Sequence, residues 1–259
     1  MSRPFALLTL LVWLTGCATH PVTGRSQLMI MPEGQANQMA YQAYAQMAEK
    51  GDVLSPSDPA SRRVAGITRR IIPHAVRIHP EASRWSWESR VFRDDSINAF
   101  AMAGGKIGVN TGMLERLRPT DDELAQVIAH EVAHAVSAHT REKMSIAMSQ
   151  ELGLSMATAL GGLDARTAEM ARQAATVAVG LPYSRRMESE ADEVGLLLAA
   201  RAGFDPRAAV SLWRKMQQEG GSAGPEWLST HPDSGRRIEA LQRAIPRVMP
   251  IYQQAAGGR

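Results

Sequence analysis

His130, Glu131 and His134 stand in the run His130-Glu131-Val132-Ala133-His134. On a helix, residues four apart share one face about 6 Å from each other. Both imidazoles can therefore reach one Zn²⁺ at roughly 2.0–2.1 Å. Glu131 points about 100° round the helix, near enough to act on a water at the ion without being a ligand. The chemistry open to such a trio is hydrolysis, but a hydrolytic zinc site needs a third protein ligand. The candidates are His139, Glu188, Glu190, Asp192 and His231. His139 is one position away from the third histidine of the H-E-x-x-H-x-x-G-x-x-H pattern, which Ser137 and Thr140 break. Glu188 and Asp192 are themselves four apart, so one carboxylate can bind metal while the other receives the N–H of a ligating histidine.

These residues need rigid elements to hold them. Thr120 and Glu123 form a capping box, and the three acids Asp121, Asp122 and Glu123 suit the positive end of a helix dipole. Leu124, Val127, Ile128, Val132 and Ala135 supply its buried side, so the motif lies in mid-helix. Further helices are expected at residues 33–50, 58–79, 184–203, 205–219 and 233–245, and Pro73 is expected to kink the second or end it early. Residues 141–181 read as a helical hairpin broken at Gly161-Gly162. Strand periodicity appears at residues 84–92, and residues 98–102 and 106–110 flank Gly104-Gly105 as a β-hairpin. The expected fold is α+β and mostly helical, with a small β-sheet beside the H-E-x-x-H helix.

The chain has 259 residues, enough for one large domain or two small ones. A net charge of +3 without a basic block gives no argument for nucleic acid as a partner. Arg3 followed by an apolar run from Phe5 to Leu14 reads as a signal peptide over residues 1–16, too short to span a bilayer. Leu14-Thr15-Gly16-Cys17 resembles a bacterial lipobox, so Cys17 is the expected lipidation site. Residues 17–32 then form a tether and residues 33–259 the folded domain. Ala18, rather than Asp, after the cysteine points to the outer membrane, with the protein lipid-anchored on the periplasmic face. Cys17 is the only cysteine, which leaves no disulfide to hold the fold.

Four stretches together carry a resemblance: His130–His134, Glu188-Ser189-Glu190-Ala191-Asp192, Asn98-Ala99-Phe100-Ala101 before Gly104-Gly105, and the run from Thr230 to Leu241. The chain is similar to the HtpX-like and CAAX-prenyl-protease-like zinc metallopeptidases, and to their periplasmic lipoprotein members in the stretch from His20 to Arg25. Ala103 departs from the proline that relatives commonly carry before the glycine pair. The resemblance implies a zincin-like metallopeptidase domain with one Zn²⁺. It makes His130, His134 and Glu188 the ligands, Glu131 the general base and Asp192 the support of a ligand. It also places His231 and Arg237 near the metal, to stabilise an oxyanion or, for His231, to gate the site.

The activity implied is endopeptidase action on misfolded or misassembled envelope proteins. Substrate is expected along an edge strand of Lys106, Ile107, Gly108, Val109 and Asn110. The partners are then protein or peptide substrates and, through Cys17, a membrane. The alternative is a largely latent, zinc-stabilised chaperone-like or binding lipoprotein.

Overall fold

Alternation of apolar and polar residues near Val91, and the glycine pair Gly104-Gly105, become strands and turn in a computed structural model of the chain. It describes residues 17–162, 164, 166–167, 183–219, 226–231 and 236–258. In chain order the elements are β1 (Cys17–Thr19), β2 (Ser26–Leu28), α1 (Glu33–Lys50), α2 (Pro59–Ile78), a 3₁₀ turn (Pro80–Arg84), β3 (Glu88–Phe92), β4 (Ala99–Met102) and β5 (Lys106–Asn110). There follow α3 (Thr111–Glu115), α4 (Asp121–Val136), α5 (His139–Ala159), α6 (Arg185–Arg201), α7 (Ala208–Glu219), α8 (Glu226–Thr230) and α9 (Arg237–Gly257). The helices dominate, as expected of an α+β zincin-like domain. The described residues fall into two compact units, one within Met1–Ala36 and Ala138–Leu181, the other within Asn37–Ser137 and Pro182–Arg259.

In the first unit β1 and β2 pair antiparallel, Cys17 opposite Leu28. The stretch expected as a tether is thus folded. The His20 Nδ1 accepts the Val22 and Thr23 N–H groups at 3.2 Å each, and Gly24 supplies the positive φ that closes the turn. Arg25 then donates to both carboxylate oxygens of Glu142 on α5 at 2.6 Å each, and Gln27 donates to the same group at 3.1 Å. The N–H of Met31 donates to the Ser145 hydroxyl at 3.0 Å. The second arm of the helical hairpin expected up to residue 181, and the signal peptide at residues 1–16, lie outside the described residues.

In the second unit the sheet order is β3-β5-β4, with β3 parallel and β4 antiparallel to β5. This corrects the expected substrate edge at Lys106, Ile107, Gly108, Val109 and Asn110. That strand is central, because β3 returns parallel on its far side, and all five residues are buried. β3 and β4 are the outer strands of this sheet. The α2 helix does not end early at Pro73 but runs to Ile78. Pro73 and Arg69, whose carbonyl loses its helical partner, both lie on the exposed face, where a missing helical bond costs least. Val64, Ile67 and Ile71 of α2 face the core as their spacing predicts.

The α4 helix is buried along its length from Glu123 to Val136. Ala125, Ala129 and Ala133 repeat every four residues along it, and Ala191, Gly195 and Ala199 do the same on α6. Small side chains let the two helix backbones approach closely. At Gly195 a Cβ would lie 2.9 Å from the Cα of His130, closer than packing allows. The glycine therefore sets the separation between the histidine helix and the helix that carries Glu188.

Candidate metal centre

The capping box predicted at the start of α4 is present. Thr120 Oγ1 accepts the Glu123 N–H at 3.2 Å and a Glu123 carboxylate oxygen accepts the Thr120 N–H at 2.8 Å. This fixes the start of a buried helix on which His130 and His134 stand one turn apart. Their Nε2 atoms are 3.1 Å from each other. Glu188, in the first turn of α6, puts one oxygen 3.4 Å from the His130 Nε2 and the other 3.4 Å from the His134 Nε2. His231, just past α8, brings its Nδ1 to 3.3 Å from the His130 Nε2 and 3.0 Å from Glu188. All four donor atoms lie within 4.8 Å of one another and all four residues are buried.

These spacings test the fit of an ion. Tetrahedral ligands at zinc bond lengths stand about 3.3–3.4 Å apart, and neighbouring donors here lie 3.0–3.4 Å apart. Imidazole nitrogens with a carboxylate oxygen are also the donor types zinc prefers. The residues can hold one metal ion, and zinc fits them.

The surroundings orient the ligands. Asp192 Oδ1 lies 3.1 Å from the His130 Nδ1, so the ring is held with Nε2 facing the cluster. Arg237, the first residue of α9, donates through Nε to Asp192 at 2.7 Å and through Nη1 to Glu188 at 2.8 Å. Its guanidinium also lies over the Trp213 ring at 4.1 Å. Glu131 faces the other side of the cluster. Its Oε1 accepts the indole N–H of Trp227 at 2.9 Å and lies 3.4 Å from the His231 Nε2. Trp227 stacks on His231 with centroids 4.9 Å apart, and Tyr183 packs on His134 at 4.0 Å.

Charge explains the titration of these groups. Burial alone disfavours a charged imidazole, yet hydrogen bonds to Asp192 and Glu188 outweigh it and push His130 up to about 9. Burial likewise works against an ionised Glu188, but the three histidines hold its carboxyl well below the usual range. Asp192 is also held low, by Arg237 and His130 against the cost of burial. Glu131, Glu188 and Asp192 are three formal negative charges against one guanidinium. The surplus of two is the charge of one divalent cation, and without a cation the site draws protons instead.

Of the residues singled out in the sequence, His130, His134, Glu188 and His231 converge, with Asp192, Arg237 and Glu131 in direct contact with them. Glu190 is buried but outside the donor set, and His139 begins the next helix without joining it. Cys17 is exposed as the first residue of β1. Trp227, Trp213, Tyr183 and Gly195 escaped the sequence reading. The signals for them were a tryptophan four residues before His231 and a glycine inside an apolar helix, which marks close backbone approach.

An H-E-x-x-H helix with a glutamate from a second helix, beside a small sheet, is the arrangement of a zincin-like metallopeptidase domain. The profile of Peptidase family M48 matches residues 60–245, and the chain belongs to this family. It is 32% identical to "Metalloendopeptidase OMA1, mitochondrial" of Homo sapiens over 96% of the chain and 50% of that protein. It is 35% identical to "Mitochondrial metalloendopeptidase OMA1" of Schizosaccharomyces pombe over 87% of the chain and 66% of that protein. The "Beta-barrel assembly-enhancing protease" of Escherichia coli is 26% identical over 92% of the chain and 49% of that protein. The chain thus spans about half the length of the human and E. coli relatives.

The expected outer-membrane address is overturned by these matches. The relatives at 32–37% identity are named as mitochondrial proteins, and the bacterial one is more distant. Among the described residues, no helix is long and apolar enough to cross a membrane.

Proposed function

We propose that the chain is a zinc-dependent endopeptidase that hydrolyses peptide bonds in proteins, misfolded or misassembled ones among them. The observation that carries this reading is the convergence of His130, His134 and Glu188, with the Glu131 carboxylate beside them and held by the Trp227 N–H. When bound, the zinc ion supplies Lewis acidity, polarising a carbonyl and making water acidic enough to attack near neutral pH. Glu131 takes the proton of the attacking water and passes it to the leaving amine. The indole N–H fixes the oxygen that accepts that proton. Asp192 keeps His130 in the tautomer that binds metal, and Arg237 holds Asp192 and Glu188 in register. Substrate lies extended along β4, whose outer backbone edge takes the role first expected of residues 106–110.

His231 gates this site. Its Nδ1 stands among the ligands, so it occupies the position a water needs, and it has to withdraw before hydrolysis. Family membership and this donor set support an enzyme over the binding-protein alternative. The motifs shared with HtpX-like and CAAX-prenyl-protease-like members support placing the chain near them within the family. The residues from Leu14 to Cys17, with Cys17 exposed, support acylation of that thiol as a membrane anchor. Mass spectrometry of the mature protein tests this directly, since an unmodified Cys17 thiol rules it out.

The decisive experiment for activity is Glu131→Gln, which keeps zinc and abolishes cleavage of an unfolded test protein. Full activity in that variant removes Glu131 as the base. His231→Ala separates the roles of that ring, since gating predicts faster cleavage and transition-state assistance predicts slower.

A further inference from the structure

A groove of about 510 Å³ runs between α6 and α9 behind the metal ligands. Arg185, Arg236 and Arg247 line it from two helices, over a floor of Ala240, Leu241 and Ala244. The guanidinium groups of all three are without a partner among the described residues. Two carboxylates share the groove. Asp192 is already taken by Arg237, and Glu193 alone faces three free cations. The balance is a net positive rim of exposed arginines around an apolar base.

Two features make this more than ordinary surface charge. Arg185 opens α6 and Arg236 caps α9, so cations stand at helix N-termini, where the dipole disfavours them. The cap of α9 also makes no side-chain hydrogen bond to the first-turn N–H groups. Basic side chains thus stand where local energetics oppose them, around a space that a lone phosphate would leave mostly empty. A planar lipid surface reaches the exposed arginines but not the buried Leu241 and Ala244 between the helices. An extended peptide with carboxylate side chains meets the arginines and lays its methylene groups on Leu241 and Ala244.

We propose that this groove is an exosite that binds an acidic segment of the protein substrate, apart from the bond to be cleaved. The assignment rests on the endopeptidase reading for its purpose, but not for its test. The groove shares Asp192 and Arg237 with the metal centre, so a bound acidic segment lies against the groups that brace His130 and Glu188. Acidic segments are then selected by charge, largely through rim contacts that salt screens.

The test measures anisotropy of a fluorescent peptide of alternating Glu and Ala, against the same peptide with Gln for Glu, on the zinc-loaded full chain. The wild type is expected to bind the Glu peptide about tenfold tighter than the Gln peptide. Arg185→Glu with Arg247→Glu abolishes the preference, while Arg185→Lys with Arg247→Lys keeps most of it. Unchanged circular dichroism of the variants shows that they fold. With a cleavable neutral peptide carrying a Glu tag, the charge-reversed protein shows a KM raised about tenfold at constant kcat, and the untagged peptide is cleaved alike by both. Equal binding of the two peptides by the wild type, or a preference that survives charge reversal, overturns the exosite. So does binding of anionic phospholipid vesicles, lost in the reversed variant, without binding of the Glu peptide. If no peptide is cleaved at all, the endopeptidase reading fails while the binding measurement still decides the groove.

Discussion

Arg25 and Arg237 are both almost fully buried, and each reaches carboxylates through paired hydrogen bonds. In the N-terminal unit Arg25 meets the carboxylate of Glu142, and the charges cancel. In the metal-binding unit Arg237 serves Asp192 and Glu188 together, while Glu131 stands across the cluster with no arginine or lysine on it among the described residues. The same side-chain chemistry therefore ends in two different states. One is a closed clamp that joins a hairpin to a helix. The other is a negative surplus that only an added cation completes. Buried surplus charge, rather than the presence of a buried arginine, separates a binding site from a staple.

The largest expected effect tests the surplus. Glu188→Ala removes a ligand and a charge, so zinc affinity should fall well beyond the roughly 10–100-fold expected for Asp192→Ala, which removes only the support of His130. Competition against a chromophoric chelator measures both. Equal losses would demote Glu188 to a supporting role. The clamp should respond in the opposite manner. Arg25→Met leaves Glu142 buried and unpaired, costing about 3–5 kcal/mol in denaturant unfolding, whereas Arg25→Met with Glu142→Met should recover most of it. A double variant as unstable as the single one would show that the pair is worth more than the absence of a stranded charge.

The two regions also differ in how far the sequence disclosed them. The capping box, the histidine spacing and the Glu188–Asp192 interval are local patterns, so α4 and the ligand pair were legible. The role of His231 was left open, because which ring nitrogen faces Glu188 depends on where α8 ends up. Trp227 and Tyr183 meet the histidines only through tertiary packing. The clamp escaped altogether, since its strands are three residues long and Arg25 finds Glu142 across 117 positions. The rank of β5 in its sheet was misjudged for a related reason. An antiparallel hairpin announces itself through Gly104-Gly105, but the parallel partner β3 carries no local sign of its register. The small residues repeating every four positions on α4 and α6 form a local pattern that the sequence reading missed, although such a repeat marks the close helix contact that brings Glu188 to His130.

That contact gives a smaller and more discriminating prediction. In a helix, Gly→Ala ordinarily stabilises by up to about 1 kcal/mol. Gly66, in α2, has nothing within 4 Å of where a Cβ would stand, so Gly66→Ala should follow this rule. Gly195→Ala should reverse it, because the methyl meets the backbone of His130, which has no flexible end to yield. Overpacking there costs about 1–3 kcal/mol and should also weaken zinc binding by separating Glu188 from the histidines. Thermal unfolding and zinc affinity of the two variants, measured side by side, check this. A stabilising Gly195→Ala would mean that the helix spacing does not depend on the glycine.

The smallest effect lies between clamp and surplus. Glu123 caps α4 while accepting from Lys215 at 2.6 Å and Ser211 at 2.7 Å. Burial raises the pKa of its carboxyl, but these donors and the Thr120 N–H outweigh that and hold it below the ordinary value. A carboxyl with a depressed folded pKa contributes stability in full above the unfolded value, about 4.3, and loses it as pH falls through the folded value. Gln at this position keeps an acceptor for the cap and removes only the charge. Because Lys215 is partly exposed, the charge should be worth less than about 1 kcal/mol. The stability gap between wild type and Glu123→Gln should therefore be widest near neutral pH and close as the solution becomes more acidic than about pH 4. Protonation of the metal ligands affects both proteins alike and drops out of the difference. A gap unchanged in acid would assign the stabilisation to the geometry of the cap rather than to the ion pair.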